Sequence, residues 1–128
     1  MPHCVVEYTD NLVGEVDVPA LLRKLADRLC DSDGMFPKGG VRVRAQRLTE
    51  YAIADGANPD DAFVHLTVKI GKGRTRERLD AFFADFFEAA RQALAPVFAR
   101  RPLALSLYVD EVDEAGSYKQ NTIHTRFK

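Results

Sequence analysis

The chain has no tryptophan, only two cysteines among 128 residues, and a formal net charge of -1. Each shortage excludes something. Cys4 and Cys30 form neither a disulfide framework nor a metal-ligand spacing. Both are expected to be free thiols in a reducing cytoplasm, and a buried structural role suits each better than a nucleophilic one. A charge this close to zero argues against a non-specific nucleic-acid binder. No apolar run is long enough for a transmembrane helix, and the first residues lack the basic and apolar regions of a secretory signal. Gly71-Lys72-Gly73-Arg74 is shorter than a P-loop, and there is no nucleophile elbow. The expectation is a cytoplasmic protein with no bound metal and no nucleic-acid or membrane partner.

What is present is a regular alternation of elements. The length fits one domain, residues 1–128, able to bury about two-thirds of its unfolded surface. Cys4 and Val6 alternate in a short strand that runs from Pro2 to Tyr8. Asp10, Asn11 and Gly14 mark a turn, Asp17 suits a helix N-cap, and Leu21, Leu22, Leu25 and Leu29 recur at helical spacing. That helix should stop between Asp31 and Gly34. After Gly39-Gly40, Val41, Val43 and Ala45 alternate with Arg42, Arg44 and Gln46, which puts both arginines on one face of a strand. This strand is expected to continue irregularly toward Tyr51 and Ile53.

A loop at residues 55–60 separates this unit from the next. Val64, Leu66, Val68 and Ile70 line one face of a third strand, and Thr75 is a plausible cap for the longest helix. Leu79, Phe82, Phe83, Phe86, Phe87, Ala90 and Leu94 form its apolar stripe, most simply as core, and Pro96 should kink or end it. Leu103, Leu105, Leu107 and Val109 make a fourth strand. Tyr118, Ile123 and Phe127 follow in a tail expected to dock through apolar side chains on this chain or a neighbour. The pattern predicts an α+β fold with α/β-type units: two βαβ units, about residues 2–54 and 60–110, and a tail at about 111–128. Together the units form one four-stranded sheet with two helices on one face. Apolar residues on both strand faces, as with Val5 and Val6, leave a second face that calls for partner subunits in a closed homo-oligomer.

Pro2 is the chemically most informative position. Methionine before a small residue is usually trimmed, and removal of Met1 would leave proline with a free secondary amine. An α-amino group titrates at about 7.7–8. Modest desolvation or a nearby cation brings it into the range of a general base at neutral pH. Retained Met1 would instead make the Pro2 nitrogen a non-basic amide. For Arg42, Arg44, Arg74 and Lys72, the simplest reading from residue type alone is solvated or paired charge. His3, His65 and His124 suit packed or hydrogen-bonded roles.

Pro2-His3, Val6-Glu7, Asp10-Asn11, Gly40-Val41-Arg42, Asp55-Gly56 and Ala62-Phe63-Val64-His65 stand in order along the chain. Lys69-Ile70-Gly71, Gly73-Arg74, Ala104-Leu105-Ser106, Lys119-Gln120-Asn121, His124 and Phe127-Lys128 continue the series. Together they resemble the 5-carboxymethyl-2-hydroxymuconate isomerase family of the tautomerase superfamily.

The resemblance spans the chain. It implies a tautomerase-like fold assembled as a homotrimer and a cofactor-free 1,3-proton shift on a dienol tricarboxylic acid of homoprotocatechuate catabolism. It also implies Pro2 as general base after loss of Met1, and Arg42 and Arg74 as substrate-binding arginines. Two other readings stay open at this level. One is a tautomerase of simpler 2-hydroxydienoates or phenylpyruvate-like enols. The other is a trimeric binding module related in shape to macrophage migration inhibitory factor.

Overall fold

The computed structural model describes residues 1–127, so Lys128 of the family-like ending lies outside them. Four strands and three α-helices, with four short 3₁₀ turns, make up the described residues. They are β1 (His3–Thr9), α1 (Val18–Cys30), β2 (Arg42–Leu48), β3 (Ala62–Gly71), α2 (Arg76–Ala93), α3 (Ala95–Phe98) and β4 (Leu103–Val112). The sheet order is β2-β1-β3-β4. β1 is parallel to β2, β3 is parallel to β4, and β1 runs antiparallel to β3. Two βαβ units therefore meet back to back through their first strands, and the fold is the doubled α+β arrangement expected from the pattern.

Local chemistry sets the helix boundaries. The Asp17 carboxylate accepts from the Ala20 backbone N–H at 3.0 Å, and Pro19 sits in the first turn, where a missing N–H costs nothing. Thr75 caps α2 by accepting from Arg78 N at 3.2 Å. α2 ends at Ala93, and Pro96 falls in the first turn of the short α3 that follows.

One face of the sheet carries Cys4, Val6, Val64, Leu66 and Val68, all at most 1% exposed. Leu21, Leu25 and Leu29 of α1 and Leu79, Phe83, Phe86 and Ala90 of α2 pack against them in a single core. Burying each large side chain contributes about 1.5–3 kcal/mol. Of the four helix phenylalanines, Phe83 and Phe86 are buried and Phe82 and Phe87 are half-buried. Met35 and Phe36, between α1 and β2, are core residues as well. No periodicity announced them. The Ser32 hydroxyl, itself buried, accepts from Phe36 N at 2.9 Å and sets that turn.

Two details differ from the expectation, and the tail shows only part of it. β2 stops at Leu48 instead of running on irregularly. The chain beyond it turns back, so that the Tyr51 ring meets Phe63 edge-on at 6.2 Å and its hydroxyl donates to Asp10 at 3.1 Å. The uncovered sheet face is mixed: Val5 lies in register with Arg44 and Thr67, and His3 with Arg42 and Lys69. The tail's apolar side chains stay exposed on this chain. Tyr118 is 94% exposed and Phe127 51%. The Asn121 amide, by contrast, donates to the Gly39 carbonyl at 2.8 Å.

Candidate active site

Because β1 is antiparallel to β3 and parallel to β2, the start of β1, the start of β2 and the end of β3 lie at one end of the sheet. The end of β4 joins them, since β4 runs parallel to β3, with Val112 in register with Gly71. The sheet therefore gathers Met1-Pro2, Gly40-Val41-Arg42, Gly71–Arg74 and the segment after Val112. Pro2 is buried, and its carbonyl accepts from Arg42 N at 3.0 Å. Met1 covers it: a methyl group added at Gly40 would meet Met1 first, at 3.0 Å from its Cγ and 3.2 Å from its Cα. Loss of Met1 thus opens the space beside Gly40 and transfers the free amine to Pro2.

Arg42 and Arg74 are both held by backbone carbonyls. Arg42 donates from one guanidinium nitrogen to Gly39 O at 2.9 Å and Val41 O at 3.0 Å. Arg74 donates to Gly71 O and Met35 O, each at 2.8 Å, and lies 5.0 Å from the centroid of the Phe36 ring. Gly73 makes the turn that delivers it, with φ at +126°, a conformation open mainly to glycine.

Both arginines act on the amino terminus. The Met1 ammonium is held below its ordinary value, first by partial burial, then by Lys119, Arg74 and Arg42, with Glu114 working in the opposite direction. A cavity of about 220 Å³ adjoins this terminus, lined among others by Met1, His3, Lys69, Gly71, Glu114 and Lys119.

The other candidate residues divide. Arg44 lies on the open face and donates to His3 Nδ1 at 3.1 Å. Burial, followed by Arg44 and Arg42, keeps the His3 imidazole below its usual pKa. The neutral ring therefore accepts at Nδ1 and keeps its proton on Nε2. Lys72 pairs with Asp113 at 3.7 Å. His65 shares a 2.6 Å hydrogen bond with the Ser106 hydroxyl, and His124 packs on Gly39. Neither is among the groups that shift the amino terminus. Reasoning from residue types gave no role to Lys119, Glu114 or Asn121. Their signal was present only as position: Lys119 and Asn121 sit in a family-like segment whose location over the amino terminus depends on the fold.

Among the described residues no three His, Cys, Asp or Glu side chains gather in a metal-capable group, and no helix is long and apolar enough to cross a membrane. Two βαβ units joined in one sheet, with a buried Pro2 behind Met1 and cations acting on the terminus, define a tautomerase-class protein. A fused 4-OT, described as a symmetric trimer, shares this fold with a TM-score of 0.65 at 16% identity, over 92% of this chain and 93% of that one. The chain belongs to the 5-carboxymethyl-2-hydroxymuconate isomerase family, whose sequence model matches residues 2–127. It is 38% identical over 128 residues, the whole of both chains, to the 5-carboxymethyl-2-hydroxymuconate Delta-isomerase of Escherichia coli. It also matches the crystal structure of a 5-carboxymethyl-2-hydroxymuconate isomerase from Deinococcus radiodurans R1 with a TM-score of 0.95. That match has 46% identity and covers 99% of this chain and 94% of the other.

Proposed function

We propose that this protein is a 5-carboxymethyl-2-hydroxymuconate Delta-isomerase that works without a cofactor, with the Pro2 amine as its base once Met1 is removed. The observation that carries the reading is the convergence of Arg42, Arg74 and Lys119 on the amino terminus, in a chain of this family. The free amine takes the proton of the 2-hydroxyl group and leaves a dienolate whose charge spreads along the conjugated chain. The resulting prolinium returns a proton to a carbon further along, and the product is the 2-oxo acid. One proton leaves oxygen and one arrives at carbon, so the reaction is redox-neutral and the amine is regenerated.

The cations serve both halves of this cycle. Nearby positive charge favours the neutral amine that must accept the proton. Arg42 and Arg74, fixed by carbonyls before any ligand arrives, stabilise the substrate carboxylates and the oxygen on which charge develops. The working form is a cytoplasmic homotrimer in which partner subunits cover the mixed open face of the sheet. Support for the oligomer comes from the outer edges of β2 and β4, which have no strand partner among the described residues, and from the tautomerase-class fold.

The test is ketonisation of 5-carboxymethyl-2-hydroxymuconate, followed by ultraviolet absorbance, with protein whose intact mass shows Met1 to be gone. Turnover well above the uncatalysed rate is expected, and it should vanish when Met1 is kept or the amine is acylated. No turnover by the processed protein would reject the substrate. Full activity with a blocked amine would reject the mechanism. Faster turnover of a monocarboxylate enol would move the assignment to a simpler tautomerase.

A further inference from the structure

Resting on that reading of the pocket, we propose that Lys119 is a specificity-determining residue: it receives a substrate carboxylate that Arg42 and Arg74 leave over, and so selects polycarboxylate dienols. The argument begins with what the two arginines have already committed. Arg74 spends one N–H from each terminal nitrogen on Gly71 O and Met35 O, and Arg42 gives one nitrogen to Gly39 O and Val41 O. Each keeps only part of its donor fork for an anion. A tricarboxylate brings more negative charge than these two anchored groups can meet in bidentate fashion.

Lys119 lines the same cavity as Met1 and Gly71. Among the described residues it has no ion pair, whereas nearby Lys72 is engaged by Asp113. It is also delivered on a segment fixed at both ends. Before it, Lys72 N donates to Val112 O at 3.1 Å and extends the β3–β4 ladder. After it, Asn121 is tied to Gly39 O at 2.8 Å. A flexible ammonium on a fixed base can reach one oxygen without demanding fork geometry.

Of the charged side chains, Lys119 acts most strongly on the Met1 ammonium, one residue before the proposed base. Lys69, which also lines the cavity, acts on His3 but is not among the groups shifting the terminus. Glu114, in the segment leading to Lys119, opposes it in sign. The pair therefore offers a test with two directions.

The experiment compares processed wild type with Lys119→Gln, Lys119→Arg and Glu114→Gln. It measures KM and kcat for 5-carboxymethyl-2-hydroxymuconate and for phenylenolpyruvate, a monocarboxylate enol. Calorimetry with tricarballylate, a saturated tricarboxylate, reports binding without turnover. Lys119→Gln is expected to raise KM for the tricarboxylate and Kd for tricarballylate by about tenfold. The rise should be several times larger than for the monocarboxylate, and Lys119→Arg should recover most of the loss. The acid limb of kcat/KM should move to higher pH in Lys119→Gln and to lower pH in Glu114→Gln. Equal losses on both substrates, unchanged tricarballylate affinity, or no recovery with arginine would overturn the assignment. Failure of the wild type to turn over the tricarboxylate would defeat the proposed reaction alone, because the tricarballylate measurement judges Lys119 independently.

Discussion

Arg74 lies over the ring of Phe36, 5.0 Å from guanidinium carbon to centroid, and donates to the carbonyl of the preceding residue, Met35, at 2.8 Å. A turn between α1 and β2 thereby orients a side chain that enters from the far end of β3. A lysine at this position could not hold both carbonyl bonds and the ring contact. Arg74→Lys is expected to lower kcat/KM about 10²–10³-fold, the cost of removing one preorganised donor from developing oxyanion charge. Phe36→Leu keeps the arginine but removes the ring beneath it, so it should cost activity less and thermal stability more. Steady-state kinetics with thermal unfolding separates the two. Wild-type kcat/KM in Arg74→Lys would show that the fork geometry is not used.

Gly39 is where the tail meets the body of the protein. A Cβ there would stand 2.7 Å from His124 Nδ1, 2.8 Å from its Cα and 2.9 Å from its N. Two of those atoms are backbone and cannot swing aside. Gly39→Ala should therefore push the segment around His124 away and weaken the Asn121 bond to Gly39 O. A loss of roughly 1–3 kcal/mol is expected from the overlap. Limited proteolysis should cut the tail faster, and substrate affinity should fall because Lys119 is carried on the same segment. His124→Ala in the Gly39→Ala background should not restore the tail, since the backbone contacts remain. A tail as resistant as in wild type would show that the contact is not needed for docking.

The strands, both long helices and their caps were legible because each is written in local periodicity: Leu21, Leu25 and Leu29 on one side, Val64, Leu66 and Val68 on the other. Arg42 and Arg44 were correctly placed on one strand face, yet that face alone could not separate their roles. Arg42 bends back to carbonyls beside the amino terminus, while Arg44 turns to His3. Met35 and Phe36 were invisible because a buried turn has no period. Lys119 and Glu114 had no legible role for another reason. Their meeting with Met1 spans nearly the whole chain and follows from the antiparallel pairing of β1 with β3 and the parallel pairing of β3 with β4. On this chain the tail is held by Asn121 and His124 at the Gly39-Gly40 turn, whose Gly39 carbonyl accepts from both Asn121 and Arg42, a contact that no apolar pattern in the tail announces.

The pH dependence of the processed enzyme should carry the mark of the cation cluster. Burial and the cations hold the Met1 amine below its ordinary value, and the same surroundings are expected to act on the Pro2 amine left by loss of Met1, so that its free base forms at lower pH than an ordinary α-amine, whose value is about 7.7–8. The rate kcat/KM should rise with pH along a limb lying below that range. Arg42→Gln should move the limb toward higher pH, and by less than Lys119→Gln, because Arg42 acts on the terminus more weakly. Titration of the Pro2 amine by nitrogen-15 NMR gives the same quantity without turnover. A limb at or above the ordinary amine value would mean that the cations do not govern the base.

Cys4 makes a prediction about stability. It is fully buried beneath the helices, and burial pushes its thiol up to about 12, with Arg44 working weakly against the shift. In the unfolded chain a thiol ionises near 8.5. The unfolded state therefore releases the proton first as pH rises. The stabilisation from keeping this group neutral is complete below the unfolded value and is lost between there and the folded value, by up to about 1.4 kcal/mol per pH unit. Cys4→Ala should be less stable than wild type at pH 7, by roughly 1 kcal/mol for the lost sulfur contacts. In urea unfolding that gap should shrink and then reverse as pH climbs past nine. The comparison cancels the lysines and tyrosines that titrate in the same range. A gap of constant size from pH 7 to 10.5 would show that Cys4 does not ionise on unfolding, and rapid modification of Cys4 by a thiol reagent in the folded protein would contradict its burial directly.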